Sequence, residues 1–103
     1  MKVAVVGAGG IGGYLAVRLA AAGNPVSVVA RGAHLEAIRA NGLSLEDRTG
    51  ERITVEVPAS ADPAELEAPE LVIFGVKGHQ LADAIEQARP LMAGGATALP
   101  ILN

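Results

Sequence analysis

The sequence contains no cysteine and no tryptophan, and its 103 residues include only one tyrosine and one phenylalanine. Without cysteine, a disulfide framework and a thiolate metal site are both excluded, and this absence suits a reducing compartment. Half of the residues are nevertheless hydrophobic, which excludes a disordered chain. The core must therefore consist of Val, Ile, Leu and Ala, and the length allows one small domain over residues 1–103.

Positive charge is also scarce, since 8 basic and 11 acidic side chains give a net charge of −3. A nucleic-acid surface requires clustered positive charge, so we expect no nucleic-acid partner. Glycines interrupt the first apolar stretch, residues 3–17, and Arg18 ends it. This stretch is shorter than the roughly 20 apolar residues that a membrane span requires. We therefore expect no membrane partner and a cytoplasmic location.

The apolar residues alternate between short strand-like runs and helix-like spacings. Three runs rich in Val and Ile are typical of strands buried on both faces of a parallel sheet; they cover residues 3–6, 26–29 and 71–76. Helical spacings follow at residues 11–22, 33–40 and 80–91. This order predicts an α/β domain with a Rossmann-type, doubly wound and mainly parallel sheet.

Two further segments have the character of strands. Residues 43–57 alternate apolar and polar side chains around a turn at residues 47–50, which predicts a β-hairpin with one solvated face. The apolar run over residues 96–102 predicts a last strand. We therefore expect about four strands in the main sheet beside the hairpin, fewer than the roughly six of a complete dinucleotide-binding fold.

A glycine-rich motif, Gly7-Ala8-Gly9-Gly10-Ile11-Gly12, joins the first predicted strand to the first predicted helix. It matches the dinucleotide-binding fingerprint G-x-G-x-x-G in the strand–turn–helix context that this motif requires. Gly7 would allow the tight turn, Gly9 would let the backbone approach a pyrophosphate, and Gly12 would let the helix pack against the strand. Amides at the helix N-terminus, among them those of Gly10 and Ile11, would hold the phosphate charge. A glycine-rich turn selected only for close packing is the alternative.

The end of the second predicted strand indicates which dinucleotide would bind. An NAD site usually places Asp or Glu there, about 20 residues after the motif, to bind the ribose 2′-hydroxyl. Residues 26–35 contain no acid, and Arg31 stands in that region instead. A guanidinium group suits a 2′-phosphate, so NADP, bound as NADPH, is the expected cofactor. A solvated loop arginine is the alternative.

Three other residues have chemistry of interest. Lys77 directly follows the third predicted strand, at the end of the sheet where open α/β sheets bind ligands, although an exposed loop lysine explains the position equally well. His34 and His79 have no carboxylate or second histidine at a useful spacing, so we interpret them as surface or capping residues. No Ser/His/Asp arrangement, zinc spacing or paired carboxylates occurs, and we expect no metal site.

Over essentially its whole length, the sequence resembles the N-terminal domain of the ketopantoate reductase (2-dehydropantoate 2-reductase) family. The matching stretches are residues 1–19, 28–45, 71–80 and 99–103. The most specific features are Ala30-Arg31-Gly32 after the second strand, and Val76-Lys77 with Gln80 after the third. The resemblance implies NADPH-dependent reduction of 2-dehydropantoate to pantoate, a step toward pantothenate and coenzyme A.

The resemblance also implies roles for individual residues. Arg31 and Lys77 would contact the adenosine 2′-phosphate region, Gln80 would lie near the adenine, and Asn103 would lie near the nicotinamide and the substrate. Leu102 stands where the family usually has glutamine, which alters the polar groups beside Asn103.

No catalytic residue is expected within this chain. By the resemblance, hydride passes from the nicotinamide to the C2 carbonyl while a lysine protonates the developing alkoxide, and that lysine belongs to a helical C-terminal domain beyond residue 103. We therefore expect a truncated protein that binds NADPH and, without the domain that holds the 2-keto acid substrate, does not turn over alone.

Two other functions remain open at this point. A stand-alone NADP-binding regulatory module would use the same motif without chemistry, and a reductase of another 2-keto acid would share the same first domain. In each case, exposed apolar faces and the edge strand over residues 96–102 predict association into a dimer or larger homo-oligomer.

Overall fold

The described part of the chain, residues 1–101 of a computed structural model, contains seven strands and four α-helices. The strands are β1 (Val3–Val6), β2 (Val26–Val29), β3 (Leu43–Glu46), β4 (Arg52–Val55), β5 (Ala59–Ser60), β6 (Leu71–Phe74) and β7 (Thr97–Pro100). The helices are α1 (Gly10–Ala21), α2 (Gly32–Asn41), α3 (Leu81–Gln87) and α4 (Arg89–Met92), and 3-10 turns cover Pro63–Glu65 and Gly78–Gln80. Within residues 1–101, no helix has the length and apolar character needed to cross a membrane.

β1 lies at the centre of a five-stranded parallel sheet with the order β5-β2-β1-β6-β7. Its first residue, Val3, pairs with Val26 of β2 on one side and with Leu71 of β6 on the other. All four residues of β1 are buried, which explains a continuous apolar run rather than an alternating one. The predicted Rossmann-type, mainly parallel sheet is confirmed.

Two apolar cores lie on the two faces of this sheet. On one face, Val3 and Val5 pack with residues of α1, α2 and β3. On the other face, Ala4 and Val6 pack with α3, α4 and Phe74, which is only 1% exposed. Because successive side chains of a strand point to opposite faces, each short central strand contributes to both cores.

β3 and β4 form a separate antiparallel hairpin, as predicted. Leu43 is buried and Ile53 is half-buried, and both pack into the core that contains α1. At the turn, Asp47 Oδ1 accepts hydrogen bonds from the backbone amide and the hydroxyl of Thr49, at 2.8 and 2.6 Å. The bond from the hydroxyl lowers the pKa of the Asp47 carboxyl. The hairpin thus has one face toward α1 and a hydrogen-bonded turn in solvent.

The main sheet differs from the prediction at its edges. It has five strands rather than about four, because β5, only two residues long, pairs with Val28 and Val29 of β2. The strand predicted over residues 71–76 ends at Phe74. The run predicted over residues 96–102 forms β7, an edge strand exposed at all four residues, and Leu102 lies outside the described residues. Self-association through this edge stays a prediction.

The helix predicted over residues 80–91 is broken at Ala88 into α3 and α4. Pro90 is the second residue of α4. Proline has no N–H to donate to the carbonyl four residues earlier, and its ring clashes with that carbonyl. The single-helix prediction was therefore wrong. The helical spacing placed Leu81, Ile85 and Ala88 on the apolar face, but Ile85 is 44% exposed. The residues that are buried against the sheet are Ala84, Ala88 and Leu91, with Leu81 half-buried beside them.

Replacing Phe74 with alanine would remove the largest side chain of the core beneath α3 and α4. We expect Phe74→Ala to lower the free energy of unfolding by about 3–5 kcal/mol, measured by urea denaturation followed by circular dichroism. Leu99→Ala on β7 is the control, because Leu99 is 45% exposed and its loss should change this free energy by less than about 1 kcal/mol. Equal losses in the two variants would contradict the assignment of the core.

Candidate functional site

A cleft of about 410 Å³ opens at the carboxyl ends of β1, β2 and β6. From β1 the chain proceeds to β2 and β5 on one side and then crosses to β6 and β7 on the other. In open α/β sheets, ligands bind at such a reversal of strand order. Four of the predicted site residues line the cleft: Gly7, Gly9, Arg31 and Gln80.

Three glycines bring α1 against the ends of β1 and β6. Gly7 has a φ of +87°, a left-handed conformation that favours glycine. A Cβ on Gly12 would lie 2.0 Å from the Gly7 carbonyl oxygen, and a Cβ on Gly75 would lie 2.8 Å from the Gly12 Cα. The tight turn predicted at Gly7 and the close packing predicted at Gly12 therefore agree with the structure. Gly75 is a third member of this contact that the sequence pattern did not indicate.

Gly9 differs from these packing glycines. Its backbone is extended, with φ of −82° and ψ of 156°, a conformation open to any residue. A Cβ added at Gly9 would meet no atom within 4 Å. Close packing within the chain therefore explains Gly7 and Gly12 but gives no reason for glycine at position 9, where the backbone faces the cleft.

The N-terminus of α1 carries partial positive charge at the cleft. Gly9 is the N-cap residue, it provides no side-chain cap, and the first turn contains no acidic residue. The amides of Gly10 and Ile11 in that exposed first turn are therefore available to an anion. Gly10, Ile11 and Gly12 lie on the helix rather than on the wall of the cleft.

Arg31 lies beside the cleft at the junction of β2 and α2. It is the N-cap residue of α2, with extended backbone, and the first turn of that helix contains no acidic residue. Its side chain is exposed and, within residues 1–101, forms no ion pair. Arg31 is thus a cation available to a ligand in the cleft.

Lys77 and Gln80 are joined through a 3-10 turn after β6. The Lys77 amide donates to Gln80 Oε1 at 3.3 Å, and the Gln80 amide donates to the Lys77 carbonyl at 2.8 Å. Gln80 lines the cleft, whereas Lys77 is exposed beside it and is not part of the wall. The structure does not describe Asn103, so the role predicted for that residue stays a prediction.

Three polar residues that sequence reasoning did not select also line the cleft: His34, Asp83 and Gln87. His34 is exposed, as interpreted, but it lies one helical turn after Arg31 and faces the same cleft. Asp83 and Gln87 lie on the face of α3 that continues from its N-cap residue Gln80. Helical spacing could have indicated these residues once Arg31 and Gln80 were selected. His34 lies three residues after Arg31, Asp83 lies three residues after Gln80, and Gln87 lies four residues after Asp83.

Together these features define a class of protein, a Rossmann-like α/β domain with a glycine loop at the central strand and a cleft at the reversal of strand order. A family model described as ketopantoate reductase PanE/ApbA matches residues 3–103. The chain belongs to this family, whose characterised members are oxidoreductases.

Individual relatives agree with this assignment. A 2-dehydropantoate 2-reductase of Mesorhizobium japonicum is 48% identical over 105 residues, which cover 100% of this chain and 32% of the relative. A PanE/ApbA family ketopantoate reductase of Ralstonia eutropha JMP134 superimposes with a TM-score of 0.90 at 40% identity, covering 100% of this chain and 34% of that one. The chain therefore spans about a third of the length of the relatives that it matches.

A third relative differs in the reaction that it carries out. The ternary structure of D-mandelate dehydrogenase with NADH and anilino(oxo)acetate superimposes with a TM-score of 0.87 at 28% identity, covering 100% of this chain and 33% of that one. Closely similar domains thus occur in proteins with different substrates.

Gly12→Ala tests the glycine contact directly. Because the added Cβ would lie 2.0 Å from a backbone carbonyl oxygen, we expect the free energy of unfolding to fall by about 3 kcal/mol, the upper range for overpacking. Chemical denaturation measures this loss. Gly94→Ala is the matched control, since a Cβ there meets nothing within 4 Å. Equal stability of the two variants would show that α1 does not need this close approach.

Proposed function

We propose that the cleft binds NADPH and that this chain is the cofactor-binding domain of a 2-dehydropantoate 2-reductase. The observation that carries the proposal is the combination of an open glycine, Gly9, with an available cation, Arg31, on one cleft. A pyrophosphate requires a residue without a Cβ, such as Gly9, where it approaches the backbone. A 2′-phosphate requires a cation, such as Arg31. The names of the relatives support the substrate, and the geometry of the cleft supports the cofactor.

The glycine loop fits the pyrophosphate of a dinucleotide. Without a Cβ, Gly9 leaves room for phosphate oxygens to approach the backbone. The uncapped first turn of α1 would supply amide donors from Gly10 and Ile11, and the helix dipole would favour the negative charge. Gly7 and Gly12 would hold this turn in place through the packing described above.

The second wall fits the adenosine end of the cofactor. Arg31 would form charge-assisted hydrogen bonds to the 2′-phosphate, for which its planar guanidinium is suited. Lys77, exposed beside the cleft, would add positive charge near the same group, and Gln80 would face the base. Asn103 would lie near the nicotinamide, as the family resemblance implies.

Bound NADPH would supply a hydride for the reduction of a carbonyl group. This chain's residues would bind and orient the cofactor by the contacts given above. By the resemblance, the lysine that protonates the substrate lies outside these 103 residues, so we expect the chain to bind NADPH without turning over 2-dehydropantoate.

A reductase of another 2-keto acid is a second candidate. It is supported by the similarity to D-mandelate dehydrogenase, whose structure holds NADH and anilino(oxo)acetate. The two candidates share the cofactor domain and differ in the groups that surround the substrate. Cofactor preference does not separate them, because either reductase can use NADPH through this shared domain; turnover of a panel of 2-keto acids by the protein with its substrate domain does.

Arg31→Ala tests the cofactor assignment. We expect the unmodified chain to bind NADPH more tightly than NADH in calorimetric titrations. The variant should lose about 1.5–3 kcal/mol of binding free energy for NADPH and much less for NADH, because one charge-assisted hydrogen bond is lost. Arg48→Ala, in the exposed turn of the hairpin, makes the same change of charge away from the cleft and should leave both affinities unchanged. Equal losses for the two cofactors would contradict the role of Arg31.

Gly9→Ala tests the pyrophosphate site separately from the fold. Because the new Cβ meets no atom of the chain within 4 Å, the urea midpoint should be unchanged. Affinity for NADPH and NADH alike should fall about tenfold or more, since the methyl group would occupy the space of the phosphates. Unchanged affinity in a folded variant would place the pyrophosphate elsewhere.

A further inference from the structure

One face of α3, together with its N-cap residue Gln80, forms a wall of the cleft with a defined pattern of polar groups. Gln80, Asp83, Ala84 and Gln87 all line the cleft, at the spacing of residues on one side of a helix. Ala84 is buried against the sheet, which fixes the helix and leaves the neighbouring polar side chains at the cleft surface.

The polar groups of this wall differ in what they can donate or accept. Gln80 Oε1 accepts from the Lys77 backbone amide at 3.3 Å, so the amide NH2 of Gln80 is the group left to donate to a ligand. The Asp83 carboxylate can only accept. Within residues 1–101 it forms no hydrogen bond or ion pair. The wall therefore offers a donor and an acceptor one helical turn apart.

Asp83 is the only acidic residue, among residues 1–101, on the wall of the cleft. A carboxylate near bound phosphates weakens binding by like-charge repulsion, unless a donor on the ligand offsets that repulsion. The neighbouring acid on α3, Glu86, lies outside the cleft and pairs with Arg89 Nη2 at 2.7 Å. Asp83 lies in the first turn of α3, where a carboxylate complements the helix dipole. Unlike Glu86, it also faces the cleft, with no partner among the described residues, and there it can accept from a donor on the ligand.

The adenine base carries such a donor, since its exocyclic amino group donates and the adjacent ring nitrogen accepts. The junction of β2 and α2, with Arg31, is the 2′-phosphate side of the proposed site, which leaves the α3 wall for the base. We infer that Asp83 accepts a hydrogen bond from the adenine amino group and is a specificity-determining residue of the cleft. This inference rests on the proposed NADPH site.

The deamino analogue of NADPH, in which hypoxanthine replaces adenine, tests the inference. In hypoxanthine a carbonyl oxygen, an acceptor, stands where adenine has its amino donor, and it would face the carboxylate. By calorimetric titration we expect the unmodified chain to prefer NADPH over the analogue about tenfold. In Asp83→Ala the affinity for NADPH should fall and the preference should shrink to within about twofold, because neither base then meets a carboxylate.

Glu86→Ala is the matched control, since it removes the same charge from the same helix outside the cleft and should keep the tenfold preference. An unchanged preference in Asp83→Ala would overturn the inference while leaving the NADPH site intact. Tighter NADPH binding in that variant would overturn it as well, by showing that Asp83 only repels the phosphates. If the unmodified chain bound neither dinucleotide, the proposed function itself would fail.

Discussion

The contact among Gly7, Gly12 and Gly75 fixes the position of the residues that line the cleft. It joins α1 to the ends of β1 and β6 through backbone atoms, which cannot move aside as the tip of a flexible side chain can. Hydrogen bonds reinforce it from both neighbouring strands, because the Gly7 amide donates to the Val29 carbonyl and the Gly75 amide to the Val6 carbonyl, at 3.4 and 2.9 Å. The first turn of α1 is thereby held in a fixed relation to the carboxyl ends of β2 and β6, where the polar side chains of the cleft begin.

The charge of the chain as a whole does not favour a polyanionic ligand. The net charge is −3, so long-range attraction would not help to bring NADPH to the cleft. Under the proposed function, attraction arises locally, from the dipole and amides of α1 and from Arg31, over distances shorter than the roughly 8–10 Å at which salt screens exposed charges. The preference among dinucleotides would then depend on two side chains, Arg31 at the 2′-phosphate and Asp83 at the adenine amino group, rather than on the overall electrostatic field of the protein.

The features that could be predicted from the sequence are those encoded by neighbouring residues. The buried run of β1, the glycine turn and the position of Arg31 after β2 all depend on residues adjacent along the chain. β5 was missed because a strand of two residues has no periodicity and exists only through its pairing with β2. His34 and Asp83 belong to helices on opposite faces of the sheet, and only the crossing of the chain at β1 brings both to one cleft. Pro90, which accompanies the break at Ala88, was a local signal, but the helical spacing of apolar residues over residues 80–91 was followed instead.

The hairpin β3–β4 packs along α1, and Leu15 and Leu19, which lie after Gly12 in the helix, pack against the core that contains Leu43 of the hairpin. With a rise of about 1.5 Å per residue, Leu19 lies about 10 Å from Gly12, whereas the first residue of the helix lies only about 3 Å beyond Gly12 in the other direction. Between Gly12 and Leu19, Ala16 and Val17 are fully buried in the core with residues of β1 and β2. The core therefore holds the helix over the whole distance between the hairpin and the glycine loop, and α1 connects the hairpin to the cleft through this buried stretch.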